Sequence, residues 1–359
     1  MQKERMSNFE LLRIIAIIMI IAHHMFLYGF KMDENLNANS CWMLFCGIWG
    51  KIGVCLFIFI SGYFANNKAS NVKQILKIWG EMFFYSIVSY MFALLYFDQT
   101  FNVKDLVKYC FPFTFKIWWY ASCYILLLVF SPYVKVMLDI LTDKQLFKLI
   151  ITLVVLFSIL PTLTNQSVYV NEFIWILALW ILGFSIKRFS LYKFLTLNSK
   201  FYFIASIIVT FIIWFSAVIL LYLQKDFPFL KNHVTHFYQD TSTLILLDSF
   251  FIFCGFKNMK LKQHHLINLI AKTTFGIYLF HDNPVVRIWL WGAEAHRMNS
   301  FLYLKGVDFI FLSILFIGMI FVVGFIIDEI RINSFEKIWN IIINKVINYI
   351  WVPINQLFN

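Results

Sequence analysis

Asn8-Phe-Glu10-Leu-Leu-Arg13-Ile-Ile-Ala16-Ile-Ile-Met-Ile-Ile-Ala-His23-His24 opens the first apolar segment of the chain and carries charge where a simple membrane anchor carries none. At about 100° per residue, the steps from Arg13 to His24 bring the two back to within about 20° of each other on a helix. Glu10, Arg13, Ile17, Ile20 and His24 therefore share one stripe. An ionisable group inside a membrane span costs roughly 2.5–3.5 kcal/mol on insertion scales, so three on one stripe point to use.

The rest of the chain agrees with a membrane setting. Of its 359 residues, 61% are hydrophobic, 20% aromatic and 14% charged, against about 25% charged in an ordinary soluble domain. The 43 Phe, 12 Trp and 17 Tyr suit lipid contact and interfacial belts. The formal net charge of +11 is spread over short loops, which fits orientation in a membrane and argues against a nucleic-acid partner. The six cysteines form no CxxC pair, so neither a metal site nor a redox motif is suggested. The first apolar run is long and has no cleavage site, so it reads as a span of the mature protein and not as a signal peptide.

A span needs about 20 apolar residues. Ten segments qualify or come close: Phe9–Phe30, Gly47–Phe64, Ile75–Phe97, Ile117–Leu138, Phe147–Leu163, Phe173–Ile186, Phe201–Leu223, Thr241–Phe256, Leu269–Trp291 and Val307–Ile330. The fifth, sixth and eighth are short. The expected fold is all-α, a polytopic integral membrane protein with about ten transmembrane helices. With the N-terminus in the cytosol, nineteen Lys and Arg fall on the inner side and nine on the outer, with Arg13 and Lys51 inside spans. That bias predicts two cytosolic termini. Residues 1–332 form the transmembrane domain, and 333–359 read as an amphipathic tail along the inner surface. All loops are short, so any chemistry happens in or at the membrane.

His24 is the first candidate for it. An imidazole takes up a proton near neutral pH and suits a general base or an acyl carrier. Its position, about 16 residues or roughly 24 Å into the span, lies in the outer half. The plainer reading is a buried histidine bonded to a carbonyl. His23 points about 100° away and packs against a neighbouring helix. Arg13 can clamp a phosphate or carboxylate in a bidentate fork, or simply pair with Glu10. Glu81 either pairs with Lys77 one turn earlier or orients Arg13 or His24. Asp248 has no local partner and either orients a histidine or faces a polar cavity. His281 and Asp282 either line an acceptor pocket or serve packing and capping. Ser61, beside Gly62, reads as close helix packing more readily than as a nucleophile. Trp118-Trp119-Tyr120 reads as an outer interfacial belt whose exposed aromatics can also stack on sugar rings.

The pattern Arg13-x2-Ala16-x7-His24 resembles the start of the membrane-bound acyltransferase family 3, whose members often read Leu-Arg-Gly-Ile-Ala before an apolar run and a His; Ile14 replaces the Gly here. Three further segments are similar to that family in order along the chain. They are Gly53-Val-Cys-Leu-Phe57-Ile-Phe59-Ile-Ser61-Gly62-Tyr63-Phe64, Trp118-Trp119-Tyr120 through Pro132, and Ala271-Lys-Thr-Thr-Phe-Gly276-Ile277-Tyr278-Leu279-Phe280-His281. The resemblance implies transfer of an acyl group, commonly acetyl, from a cytosolic acyl-CoA such as acetyl-CoA, with no tightly bound cofactor and no metal. The acceptor it implies is a hydroxyl or amine of a cell-surface glycan or lipid-linked sugar.

His24 matches the family's essential first-span histidine, and Arg13 its first-span arginine. Beside His24, Glu81 and Asp248 become the expected supports of catalysis. Arg13, Lys73 and Lys77 become the expected donor contacts, and His281, Asp282, Trp118 and Trp119 the acceptor contacts. One departure stands out. Many members carry paired arginines and an Arg-Ile-x-Pro stretch before the third span, where this chain reads Lys68, Lys73 and Lys77-Ile-Trp-Gly without Pro. The esterase-like domain fused to some members is also lacking. The expected location is a cell membrane, the plasma membrane of a bacterium, with membrane lipids as partners. The competing class is a transporter of lipid-linked sugar or polysaccharide, which ten spans and scattered intramembrane charge also suit. No inverted repeat and no matched pair of broken helices supports that class.

Overall fold

The computed structural model describes residues 6–30, 35–65, 71–97, 99–165, 171–292, 303–304 and 306–352. Lys3, Arg5, Lys31, Lys68, Arg297 and Lys305 of the charge count, and the last part of the tail, lie outside the described residues. Among the described residues every regular element is helical. In chain order they are α1 (Ser7–Gly29), α2 (Ala38–Tyr63), α3 (Val72–Tyr96), α4 (Val103–Cys110), α5 (Trp119–Ile140) and α6 (Asp143–Val154), which passes through a π turn into α7 (Leu160–Thr164). Then follow α8 (Glu172–Arg188), α9 (Ser199–Leu223), α10 (Thr243–Asn258), α11 (His265–Ala271), α12 (Thr274–His281), α13 (Pro284–Trp291), α14 (Val307–Asn333) and α15 (Phe335–Val346).

Helices are what an apolar chain must form in lipid, because the backbone groups there find partners only within the segment. The polar residues between segments close the helix ends. The Asn37 side chain accepts from the Ser40 amide at the start of α2, and Thr142 with Gln145 forms a capping box at the start of α6. Asn171 and Asn198 cap α8 and α9 in the same way. Each cap satisfies an amide that the first turn leaves open.

Seven helices among the described residues are long and apolar enough to cross a membrane: α1, α2, α3, α5, the run Asp143–Thr164, α9 and α14. The ten expected segments all recur as helix, with two differences, in the fifth and the ninth. The fifth is not short, since the capping box starts it early and the π turn carries it on to Thr164. The sixth and eighth stay short, as the 17-residue α8 and the 16-residue α10. The ninth, expected as one span, is broken into α11, α12 and α13. The Thr273 and Thr274 hydroxyls donate to the carbonyls of Ile270 and Ala271 at the first break, in competition with backbone amides. At the second break Asn283 caps α13, and Pro284 at its first position has no amide to bond.

α1 and α2 form the centre, antiparallel to each other; over their apolar windows they are 61% and 67% buried, against 17% for Asp143–Thr164 and 22% for α14. The outer helices give their apolar side chains, such as Ile207, Phe211 and Phe311, to the surroundings. α2 meets α8 at a small-residue crossing, where a Cβ on Gly62 would strike the Trp180 carbonyl and one on Gly183 the backbone of Phe59. Small residues let helix backbones approach where lipid offers no hydrophobic drive. This is the close-packing role expected beside Ser61.

A buried ion cluster ties the late helices to α3. Arg331 of α14 is 2% exposed. Its Nε and Nη2 reach Asp328 Oδ1 and Oδ2 at 2.6 and 3.2 Å, Nη1 reaches Glu336 Oε2 at 2.9 Å, and Nη2 lies 3.6 Å from Glu81 Oε2. The Tyr85 hydroxyl donates to Asp328 Oδ1 at 2.8 Å. A Cβ on Gly276 of α12 would run into the Asp328 carboxylate, so that position admits no side chain. The tail joins the same cluster. Glu336 of α15 also holds Lys77 at 2.7 Å, and Trp339 donates to the Leu76 carbonyl at 3.0 Å while its ring fills the space left by Gly80. Burial alone would raise the Glu336 carboxyl, but Lys77 and Arg331 hold it below the ordinary carboxylate range. The tail is thus docked on α3, with Ile338 and Ile341 turned outward.

Arg331→Met should destabilise the protein by about 3 kcal/mol or more, because it strands Asp328 and Glu81 as buried, unpaired charges. Chemical denaturation in detergent micelles measures this. The pair Arg331→Met with Asp328→Leu should cost less than Arg331→Met alone.

Candidate functional site

Beside α1 lies a cavity of about 840 Å³. It runs from Arg13, Lys77 and Lys272 near the start of α1 to Lys51, Asp240 and Glu172 at the opposite end. His24 lines it between these two sets, with Ser61, Tyr120, Tyr124 and Tyr278 along the wall.

Arg13, Ile20 and His24 of the α1 stripe line this space, as does the neighbouring His23. Arg13 Nη1 donates to Glu10 Oε1 at 2.7 Å, as the plainer reading expected, yet its side chain stays 31% exposed and lines the cavity. Arg13 therefore both pairs with Glu10 and faces the cavity. His23 turns from α1 toward α2, where its Nδ1 bonds the Gly47 carbonyl at 2.7 Å and its ring fills the space that a Cβ on Gly50 would need.

His24 sits in a relay built by the broken helix α12. His281 Nδ1 is 2.6 Å from the Ile277 carbonyl, and His281 Nε2 is 3.0 Å from His24 Nδ1. A carbonyl only accepts, so His281 carries its proton on Nδ1. In the neutral ring its Nε2 then accepts, and His24 must carry its proton on Nδ1. That leaves His24 Nε2 with the free lone pair. Asp282 Oδ1 stands 3.7 Å from His24 Nδ1 and 3.8 Å from Arg287 Nη1, and the Arg287 guanidinium lies over the Tyr28 ring at 4.7 Å. The arrangement fixes the ring of His24, presents one basic nitrogen, and holds a carboxylate ready for the imidazolium that proton uptake would form.

Several expected residues fall elsewhere. Glu81 lines the cavity but pairs with Arg331, not with Lys77, Arg13 or His24; Lys77 is taken by Glu336. Lys73 reaches Asn344 at 3.5 Å, outside the cavity lining. Asp248 has partners after all: it accepts from Ser206 and Thr210 of α9 at 2.5 and 2.6 Å, away from the cavity lining, so it fastens α10 to α9. Two hydroxyls 38 and 42 residues distant were not visible in its local sequence. His281 and Asp282 do not line the pocket but stand behind His24. Trp118, expected at an exposed belt, is 1% exposed and in the core, whereas Trp119 lines the cavity.

Sequence reasoning passed over Lys51 with its partner Asp240, the cavity cation Lys272, and the Arg331 cluster. The signals were present. Lys51 is a lone cation inside a span, and Asp328-x-x-Arg331 places opposite charges one turn apart at the end of the tenth segment.

The model of the acyltransferase domain of acyltransferase family 3 matches residues 6–329. No curated protein and no solved structure matches the chain.

With Asp248 acting as a tether, Asp248→Val should lower stability by about 1–2 kcal/mol through the hydroxyls it leaves unpaired. Thermal unfolding in detergent should show the loss, and an unchanged midpoint would remove the tether.

Proposed function

The chain belongs to acyltransferase family 3, and from that premise we propose that it is a multi-pass membrane enzyme that moves an acetyl group from acetyl-CoA to a hydroxyl of a surface or lipid-linked sugar. The observation that carries this reading is one continuous cavity, with a basic cluster at one end, polar groups at the other, and His24 between them with one free ring nitrogen. Seven helices long and apolar enough to cross a membrane supply the setting.

The donor enters at the cytosolic end, where Arg13, Lys77 and Lys272 meet its phosphates. The acceptor enters at the other end. His24 Nε2 takes the proton of the acceptor hydroxyl as its oxygen attacks the thioester carbonyl. The C–S bond breaks, and the imidazolium returns the proton to the leaving thiolate. Asp282 stabilises the imidazolium in between, and His281 holds the ring in the tautomer that keeps Nε2 free. Because donor arm and acceptor share one cavity, the acyl group need not pass through a covalent intermediate on His24, and we favour the general-base role over the acyl carrier. Glu81 supports the site through Arg331.

The deciding assay follows labelled acetyl from acetyl-CoA into a membrane-associated or surface glycan, with purified protein in micelles or in vesicles whose gradient is collapsed. His24→Ala should lower transfer by about 10²–10⁴-fold, the range of general-base catalysis, and His23→Ala should retain most of it at matched protein levels. Sugar-lipid flux that needs a gradient, with no acylated product, would favour the transporter. Arg13→Lys should raise the donor KM about tenfold, since a point charge replaces a fork of charge-assisted hydrogen bonds. For the orientation, a membrane-impermeant thiol reagent on intact cells should label Lys225→Cys and spare Lys262→Cys. The reverse pattern would put Arg13 on the wrong side for a cytosolic donor.

A further inference from the structure

Lys51 and Asp240 form an ion pair of unequal members. Lys51 rises from the middle of α2, its side chain is 26% exposed, and Nζ lies 2.7 Å from Asp240 Oδ1. Asp240 belongs to the turn before α10, and its side chain is 61% exposed. Both line the cavity at the end away from Arg13. A cation inside a span needs an anion nearby, yet the anion supplied here is a mostly hydrated side chain from a surface turn. A pair with one member this exposed contributes little. Asp240 can therefore return to water at small cost, provided another anion takes its place at Lys51.

The depth of Lys51 gives that exchange a use. The residue before it, Gly50, abuts the ring of His23, so Lys51 leaves α2 level with the histidine pair and carries its ammonium from there to Asp240 at the end of the cavity. Of the other carboxylates along the cavity, Glu81 is held by the buried Arg331, and Glu172 faces Lys116, which lies outside the cavity lining. Among the cations lining the cavity, Arg13, Lys77 and Lys272 lie at the far end.

We propose that Lys51 is the recognition point for an anionic group, a carboxylate or a phosphate, on the acceptor sugar, with Asp240 holding that point until the acceptor displaces it. The word acceptor rests on the transferase reading above; the recognition itself does not require turnover. An acceptor anchored at Lys51 by its anion brings its hydroxyls to the level of His24. A neutral sugar must leave the pair closed or break it with nothing offered to Lys51 in return.

The test measures equilibrium binding to the purified full chain in micelles. The probes are methyl glucuronide, which carries a carboxylate, glucose 1-phosphate, which carries a phosphate, and methyl glucoside, which is neutral. The wild type should prefer a charged probe over the neutral one. Lys51→Gln should reduce that preference at least tenfold, and Asp240→Asn should increase it several-fold by removing the competing anion. The opposite signs are the signature. A preference that moves the same way in both variants would make the pair a structural latch and overturn the proposal, as would a preference indifferent to both. A stronger response to glucuronide than to glucose 1-phosphate would identify a uronic-acid unit as the source of the anion, and the converse a sugar phosphate. If the wild type yields no acetylated product yet binds charged sugars through Lys51, the transferase reading fails and the recognition stands.

Discussion

A guanidinium withdrawn from water must be neutralised by groups fixed around it, and Arg331 imposes that demand on four helices. Asp328 answers from the same helix, Glu81 from α3 and Glu336 from α15, while α12 gives up a side chain at Gly276 so that Asp328 can sit where it does. Desolvating this many charges is costly, and replacing such a cluster by well-packed apolar groups is often neutral or better for stability. What the cluster supplies is therefore placement. It sets α3 with Lys77 and Glu81 against the cavity, and it sets the height of α12, whose far end carries His281 and Asp282.

From that placement follows the chemistry at His24. A histidine alone on a span can adopt either tautomer and several ring orientations. Here the Ile277 carbonyl, two bonds away along the relay, decides which nitrogen is basic. The break of the ninth segment adds the carboxylate. A continuous helix would leave no polar turn at Asp282 and Asn283 to stand beside His24. The backbone irregularity is confined to a region where neighbouring helices cover it, as lipid requires.

Much of this was legible in the sequence, and the part that was legible is local. The stripe of Glu10, Arg13 and His24 is a matter of helical period, as is the turn of His23 toward α2, and both recur in the structure. The ten helical segments could be read from apolar length, although the breaks at Thr273 and Pro284 could not be weighed against a run of apolar residues. Partner choice was not legible. Glu81 and Lys77 stand one turn apart and look like a pair, yet each has a better partner more than two hundred residues away in the chain, Arg331 and Glu336. Asp248 looks alone until α9 lies beside it. Trp118 and Trp119 are neighbours of identical chemistry, and only the packing of α5 decides that one is core and the other cavity wall.

The broken segment also bears on how the protein is made. At 1.5 Å per residue an eight-residue helix covers about 12 Å, well short of the roughly 30 Å of a bilayer's hydrocarbon core. α11, α12 and α13 have seven or eight residues each, and His281, Asp282, Asn283 and Arg287 fall among them. Such a stretch has little claim on the lipid when it leaves the ribosome. It enters by joining helices already assembled, α1 foremost, whose His24 then receives His281. The order of synthesis thus becomes an order of dependence: the half of the protein made first is the receptor into which the half made last is threaded, and the His24–His281 contact lies at the seam where the two are joined.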